Sequence, residues 1–356
     1  MALKAIKVVA PGEAGVVSNA IVPRVRDDYL IARTKAVALN PTDYHHAKYY
    51  SVPGAILGCD WAGVVQEVGK NVTRFKPGDE VSGVCHGGNN LELEDGAFAE
   101  VITAKELAVI HKPKDLSFED AAALGVGIAT TGQILYAVFQ LPLPSITEVV
   151  REDRGAMLVY GGSSATGTIL IQLAKLSGFT VYTTCSVPNF DLVKSRGADH
   201  VFDYNVPNFE HEILNTAHGK HHSFQYVVDC FGSDDTAEVC ARLISKENSF
   251  YHSVKAPLPE AFKKIRTEDS VQATTALGYL LLGEPLSIGG MDFPADPSLE
   301  EFSKKWTPVI EELVKQGKVK PHPHGVIAGG LDAIPGILES ISQGGTRGKK
   351  SVVTVA

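Results

Sequence analysis

The segment Met157–Gly178, MLVYGGSSATGTILIQLAKLSG, constrains this chain more than any other. Met157–Tyr160 is a short apolar run of the kind that forms a buried parallel strand. Small residues follow: Gly161, Gly162, Ser163, Ser164, Ala165, Thr166 and Gly167. Ile169, Leu170, Leu173, Ala174 and Leu176 then recur at helical spacing, and Gly178 stands where a C-cap belongs. Strand, small-residue turn and helix is the arrangement that sets a helix N-terminus against a pyrophosphate, because the glycines admit the backbone and the free N–H groups favour the anion. The spacing departs from G-x-G-x-x-G at its middle position, so a plain tight turn stays open as the alternative. The run also imitates the hydrolase elbow G-x-S-x-G, but Thr166 stands where the last glycine should be.

A chain of 356 residues can hold two domains or one large one. A net charge of −8 argues against a nucleic-acid surface or an anionic membrane as partner. The apolar runs look too short to span a bilayer, and no basic-then-apolar leader opens the chain. Cys59, Cys85, Cys185, Cys230 and Cys240 form no C-x-x-C pair, so reduced thiols and a cytoplasmic setting are expected.

Residues 1–125 read as short strands separated by Gly and Pro. They include 5–9, Tyr29–Ala38, 63–69 and runs opening near residues 80 and 96, a pattern that suggests a small distorted barrel. Ser117 and Asp120 mark a helix start, and a second helical run covers 130–138. Residues 140–154 read as a connection of low structure. From residue 157 onward, strands at 157–160, 180–184, 200–203, 224–229 and 248–253 alternate with helices, which predicts a doubly wound parallel sheet. A helix over 299–315, a strand near 324–327, a helix over 331–342 and a strand over 350–355 are expected to fold back onto the first domain.

The residues Leu39-Asn40-Pro41-Thr42-Asp43, Leu57-Gly58-Cys59-Asp60, Phe75–Val81, Gly96–Glu100, Tyr160–Gly167 and Gly348–Val353 together resemble the medium-chain dehydrogenase/reductase superfamily. Within it, Leu141–Pro144, Tyr160–Thr166, Cys185-Ser186, Lys194–Ala198 and Lys320–Pro323 resemble the trans-acting enoyl reductases that partner fungal polyketide synthases, of the lovastatin type. The resemblance implies an α/β architecture. Residues 1–125 and 298–356 would form a GroES-like β-barrel catalytic domain, and 126–297 a Rossmann dinucleotide-binding domain.

Zinc-dependent relatives carry Cys at the position of Asn40 and His-Glu at Cys59-Asp60, so no metal site is expected here. The pairs His45-His46, His221-His222 and His322/His324 are read as solvated or packing residues, since neighbours in an extended segment face opposite ways. Loss of the Lewis acid argues against alcohol oxidation and for reduction of a conjugated double bond. The second strand of the sheet ends Thr184-Cys185-Ser186 without the acid that holds an NAD ribose. By resemblance Ser186, Asn189 and Tyr204 match positions that bind a 2′-phosphate, which implies NADPH; a capping role for Ser186 is the alternative.

The resemblance further implies that Gly162, Ser163, Ser164, Ala165 and Thr166 hold the pyrophosphate, that Leu281 and Gly283 lie near the carboxamide, and that Lys349 lies near the closing strand. Thr130 is implied near the cofactor. His45 replaces the Lys that relatives carry in N-P-[ST]-D-x-K, and an imidazole there could donate a proton; a residue merely lining the pocket wall is the alternative. Tyr44 is a possible pocket donor, while Asp43 is expected to fix its loop.

Three activities fit. They are an enoyl thioester reductase working with a synthase carrier domain, a reductase of free enones or quinones, and a redox-silent isomerase or cyclase. Glycines and prolines over 272–294 would interrupt a long edge strand, so a monomer is expected.

Overall fold

The computed structural model describes residues 3–148, 153–217, 224–342 and 348–355. The chain divides into two compact units. The first holds Met1–Ala129, Tyr279–Gln316 and Pro321–Ala356, and the second holds Thr130–Gly278 and Gly317–Lys320. The borders read from the sequence were 125/126 and 297/298, so residues 126–129 and 279–297 group instead with the first unit.

The first unit is built on a seven-stranded sheet. Its order is His324–Ile327, Lys350–Thr354, Tyr29–Ala38, Asp60–Val68, Glu80–Val84 and Val109–His111, and Val101–Lys105 also pairs with Tyr29–Ala38. Tyr29–Ala38 gives residues 29–33 to Val101–Lys105 and residues 36–38 to Lys350–Thr354, so the sheet branches and curls. An irregularity between Thr34 and Ala36 bends the same strand opposite Gly63, where a Cβ would lie 2.2 Å from the Arg33 carbonyl oxygen. Leu30, Leu57, Trp61, Phe98, Ile102 and Val353 fill the interior. The C-terminal strand therefore completes a core begun some three hundred residues earlier.

The second unit carries a six-stranded parallel sheet. Its order is His200–Phe202, Thr180–Thr184, Ala156–Tyr160, Tyr226–Asp229, Ser249–Ser253, Val271–Thr275. In chain order that is 3-2-1-4-5-6, the doubly wound arrangement whose switch point lies between Ala156–Tyr160 and Tyr226–Asp229. The first five strands sit within two residues of their expected bounds. The sixth was not anticipated, because Val-Gln-Ala-Thr-Thr alternates in polarity over only four residues and carries just two apolar ones, and it lies half-buried at the sheet edge.

One expectation is corrected. The helical stretch Phe118–Val138 runs for 21 residues, and an 18-residue window within it has a mean hydropathy of 1.5, long and apolar enough to cross a bilayer by length and composition. The apolar character of that window is spent inside the fold, where 72% of it is buried.

Candidate active site

At the switch point of the parallel sheet, the strand Ala156–Tyr160 is buried along its whole length and turns sharply at Gly161, whose φ is +81°. Thr184 fastens the turn, its hydroxyl accepting from Gly161 N–H at 3.1 Å and its carbonyl from Gly162 N–H at 3.0 Å. A Cβ on Gly162 would lie 2.0 Å from Thr183 Oγ1, and one on Gly167 would lie 2.5 Å from the Gly161 carbonyl oxygen. The glycines thus serve close helix–strand packing. Ser164 caps the helix Ala165–Leu176 by accepting from Gly167 N–H at 3.0 Å. Ser163, Ser164, Ala165 and Thr166 stay partly exposed around this N-terminus, beyond the carboxyl end of the strand, where a pyrophosphate fits.

Beyond the neighbouring strand Thr180–Thr184, Asn189 Nδ2 donates to Ser186 Oγ at 3.3 Å, and neither residue is fully buried. Ser186 makes no side-chain cap on the short helical turn that follows it, so capping does not explain it. Tyr204 lies 37% exposed and stacks on Tyr160, with ring centroids 6.5 Å apart. Phe231 meets Tyr160 edge-on at 6.3 Å. Hydroxyl and amide groups beside exposed aromatic faces suit a phosphorylated ribose and a purine ring. Thr130 is half-buried in the same unit, its Oγ1 3.7 Å from where a Cβ on Gly278 would stand.

The first unit contains a buried polar cluster. Lys350 Nζ donates to Asn40 Oδ1 at 2.7 Å and pairs with Asp60 Oδ2. Asn40 Nδ2 donates to the same carboxylate at 2.9 Å, and Val126 N–H reaches its other oxygen at 2.6 Å. Asp43 accepts from Asn40 N–H at 2.7 Å, the loop-fixing role expected of it. Burial raises its carboxyl to about 7, against the lowering effect of the Cys59 thiol beside it. Burial also pushes the Cys59 thiol well up, so it stays protonated. These donors do not fit a zinc ion: an ammonium already neutralises the carboxylate, and the remaining ligands are an amide and a protonated thiol.

Tyr279 closes the cluster. Its hydroxyl lies 3.0 Å from Thr42 Oγ1 and 3.3 Å from Cys59 Sγ. Its ring stacks on His86 at 4.2 Å and meets His46 edge-on at 5.5 Å. His46 is held through Nδ1 by Ser51 Oγ at 3.0 Å. Burial lowers His46 to about 4 and His86 to about 3, so both imidazoles are neutral. His45 and His46 lie on a helical segment, not an extended one. His46 and His322 are buried rather than solvated, and His324 Nδ1 lies 3.5 Å from Asp120 Oδ1. His221 and His222 lie outside the described residues.

The other sequence candidates are dispersed. His45 is half-buried among the rings of Tyr44, Tyr49 and Tyr50, at 5.7, 6.1 and 6.2 Å. Leu281 and Gly283 belong to the first unit, where the Leu281 carbonyl accepts from Ser303 Oγ at 2.7 Å and Gly283 turns with φ +68°. Lys349 is exposed, and its neighbour Lys350 is the buried cation. Sequence reasoning missed Lys350 and Tyr279. Strand alternation does not flag Lys350, since it shares a face with exposed Thr354, and nothing local marks Tyr279.

Two family models match: an alcohol dehydrogenase GroES-like domain over residues 26–114 and a zinc-binding dehydrogenase over 165–250. The second match covers the helix Ala165–Leu176 and the strands after it, not the Asn40–Asp60 positions. The trans-enoyl reductase resD of Aspergillus sclerotiorum is 38% identical over 99% of this chain and 100% of its own length. The trans-enoyl reductase TOXD of Cochliobolus carbonum is 45% identical over 79% of this chain and 91% of its own. Among solved structures, the CurK enoyl reductase superposes with a TM-score of 0.76 at 18% identity, covering all of both chains. A putative zinc-dependent alcohol dehydrogenase from Rhizobium etli gives 0.79 at 24%, covering 100% of this chain and 99% of its own. Full-length likeness to those reductases, carried on a doubly wound sheet and a branched β-sheet unit, shows that the chain belongs to the medium-chain dehydrogenase/reductase superfamily, among its trans-enoyl reductases.

Proposed function

We propose that the chain is an NADPH-dependent enoyl reductase that saturates the α,β double bond of a polyketide thioester, working in trans with a synthase carrier domain. It is an oxidoreductase acting on C=C bonds with a nicotinamide cofactor. The observation that carries the reading is the Lys350–Asp60–Asn40 cluster. It stands at the positions where metal-dependent relatives bind zinc, and a fixed ammonium there supplies no open coordination site to polarise an alcohol. A conjugated thioester needs no such activation.

When bound, the nicotinamide supplies hydride. Ser163–Thr166 at the helix N-terminus would hold the pyrophosphate, with the dipole and backbone donors favouring its charge. Ser186, Asn189 and Tyr204 would meet the 2′-phosphate, and the exposed ring of Phe231 would meet the base. No acid follows the second strand before Asp191, so nothing there repels the extra phosphate. His45, Tyr44 and Thr130 remain pocket candidates. A monomer fits the turns at Gly283, Gly289 and Gly290, all at positive φ, which follow a sheet-edge strand of five residues.

Fluorescence titration is expected to give tighter binding of NADPH than of NADH, and Ser186→Ala with Asn189→Ala should erase that preference. NADPH should be consumed with a 2-enoyl thioester and much less with a simple quinone. The converse pattern would make the chain a reductase of free small molecules. No oxidation with either would favour isomerase or cyclase chemistry.

A further inference from the structure

Asp229 ends the strand Tyr226–Asp229, beside the switch point of the parallel sheet, and is fully buried. Four donors converge on its carboxylate. Oδ1 accepts from Phe231 N–H at 2.9 Å and from Gly232 N–H at 3.0 Å. Oδ2 accepts from the Thr236 hydroxyl at 2.7 Å and from the Tyr251 hydroxyl at 3.2 Å. Burial raises the carboxyl, against the lowering effect of all four donors. Thr236 lies in the first turn of the helix Asp234–Leu243, and Tyr251 is buried on the next strand, stacked on Phe262 at 3.8 Å. One side chain therefore ties the loop 230–233 to the helix it enters and to the neighbouring strand. That loop carries Phe231, which is 49% exposed. Gly232 turns at φ +65°, and the Phe231 ring lies against Gly161, where a Cβ would stand 2.5 Å from Phe231 Cε2. Phe231 and Tyr204, both exposed, contact the same Tyr160 ring. Two exposed aromatic side chains thus border the carboxyl end of Ala156–Tyr160, across which a doubly wound sheet lays a dinucleotide.

We propose that Asp229 is a positioning residue for the cofactor, its carboxylate holding the loop so that Phe231 presents its ring to the purine. This assignment rests on the NADPH reading and adds the group through which the base is gripped. The physical reason is preorganisation. An exposed ring on an unfastened loop would lose backbone and rotamer freedom each time a base docked on it. The two N–H bonds to Asp229 Oδ1 remove that freedom when the chain folds, so more of the ring–base attraction appears as affinity. Asp229 itself touches neither base nor phosphate in this arrangement, since both of its oxygens are already occupied by protein donors.

The test titrates the full chain with NADPH and with adenosine 2′,5′-bisphosphate, which carries the purine and the extra phosphate but no nicotinamide. Phe231→Ala is expected to weaken both about tenfold. Asp229→Ala should weaken both by a similar factor. Asp229→Asn keeps one oxygen for the two N–H groups and should recover most of the loss. Asp229→Ala combined with Phe231→Ala should bind no more weakly than the weaker of the two single variants, because the carboxylate acts through the ring. Reduced nicotinamide mononucleotide lacks the purine and should bind equally in all of them, an equality that a general loosening of the fold would not give. Phe231 is exposed, so its variant keeps the proposal testable should Asp229→Ala fail to fold. Equal affinity for adenosine 2′,5′-bisphosphate in wild type and Phe231→Ala overturns the proposal, and so do additive losses in the double variant. A wild type that binds neither NADPH nor the bisphosphate overturns the cofactor reading itself, and the assignment of Asp229 falls with it.

Discussion

Lys350 shows how one residue sets the character of a site. Its ammonium is buried between Asn40 and Asp60, and Asp60 is fully buried. A pair of this kind gains little over an apolar replacement of both members, yet removing one member strands the other charge. Lys350→Met is therefore expected to destabilise the chain by about 3–5 kcal/mol, read as a shift in urea midpoint, with much of the loss recovered in Lys350→Met with Asp60→Asn. If the single variant unfolds at the wild-type midpoint, the carboxylate has found another counter-charge and the cluster is not the anchor described here. Asn40 and Cys59 were legible in the sequence as departures from a metal-ligand pattern. Their partner was not, because a buried lysine is recognisable only once its carboxylate is known.

The strand–turn–helix around residues 157–178 is the element on which the proposed cofactor binding rests. Its spacing could be read directly because the requirements are local. A turn at positive φ needs Gly161, and a helix start needs an oxygen at Ser164. The roles of Gly162 and Gly167 are tertiary, since each faces an atom of the turn or of the next strand. Gly167→Ala is expected to cost about 1–3 kcal/mol of stability, because backbone has to move to admit the methyl group. It should also weaken NADPH binding in fluorescence titration more than Ser164→Ala does. Equal affinity in wild type and Gly167→Ala would mean that the helix can withdraw from the strand without losing the phosphate site. At the sheet edge, Val271–Thr275 went unread because its polarity pattern is that of a half-exposed strand with few apolar residues.

Across the whole molecule, buried neutral histidines set an acid limit. Burial lowers His46 to about 4, and His86 and His252 to about 3. His252 Nδ1 meets Thr274 Oγ1 at 3.0 Å. That hydroxyl donates to the Tyr251 carbonyl at 3.2 Å, so the histidine is the donor and keeps its other nitrogen unprotonated. A histidine with a folded-state pKa below its unfolded value of about 6.5 contributes stability that is complete above that value and is lost as pH falls. Asp43, raised to about 7, and Asp95, raised to about 6, act oppositely: the stability they contribute declines as pH rises through those values. The net slope mixes both kinds of group, so a single histidine is best isolated by difference. His252→Gln should flatten the stability profile between pH 6 and 4 by about 1.4 kcal/mol per pH unit in urea titrations. A variant profile parallel to that of wild type would show that His252 charges in the folded state.

The sequence by itself determined the elements governed by neighbouring residues: the glycine turn after residue 160, the order of apolar strands and the helix start at Ser117. Their physics acts over a few residues and leaves a local imprint. Only the tertiary structure decided which polar side chains are buried together. Lys350 and Asn40 are 310 positions apart, and Tyr279 and Cys59 are 220 apart, with no periodicity joining either pair. Their roles follow from being withdrawn from water side by side, where a buried charge or hydroxyl is stabilised only by the partner that the fold brings to it.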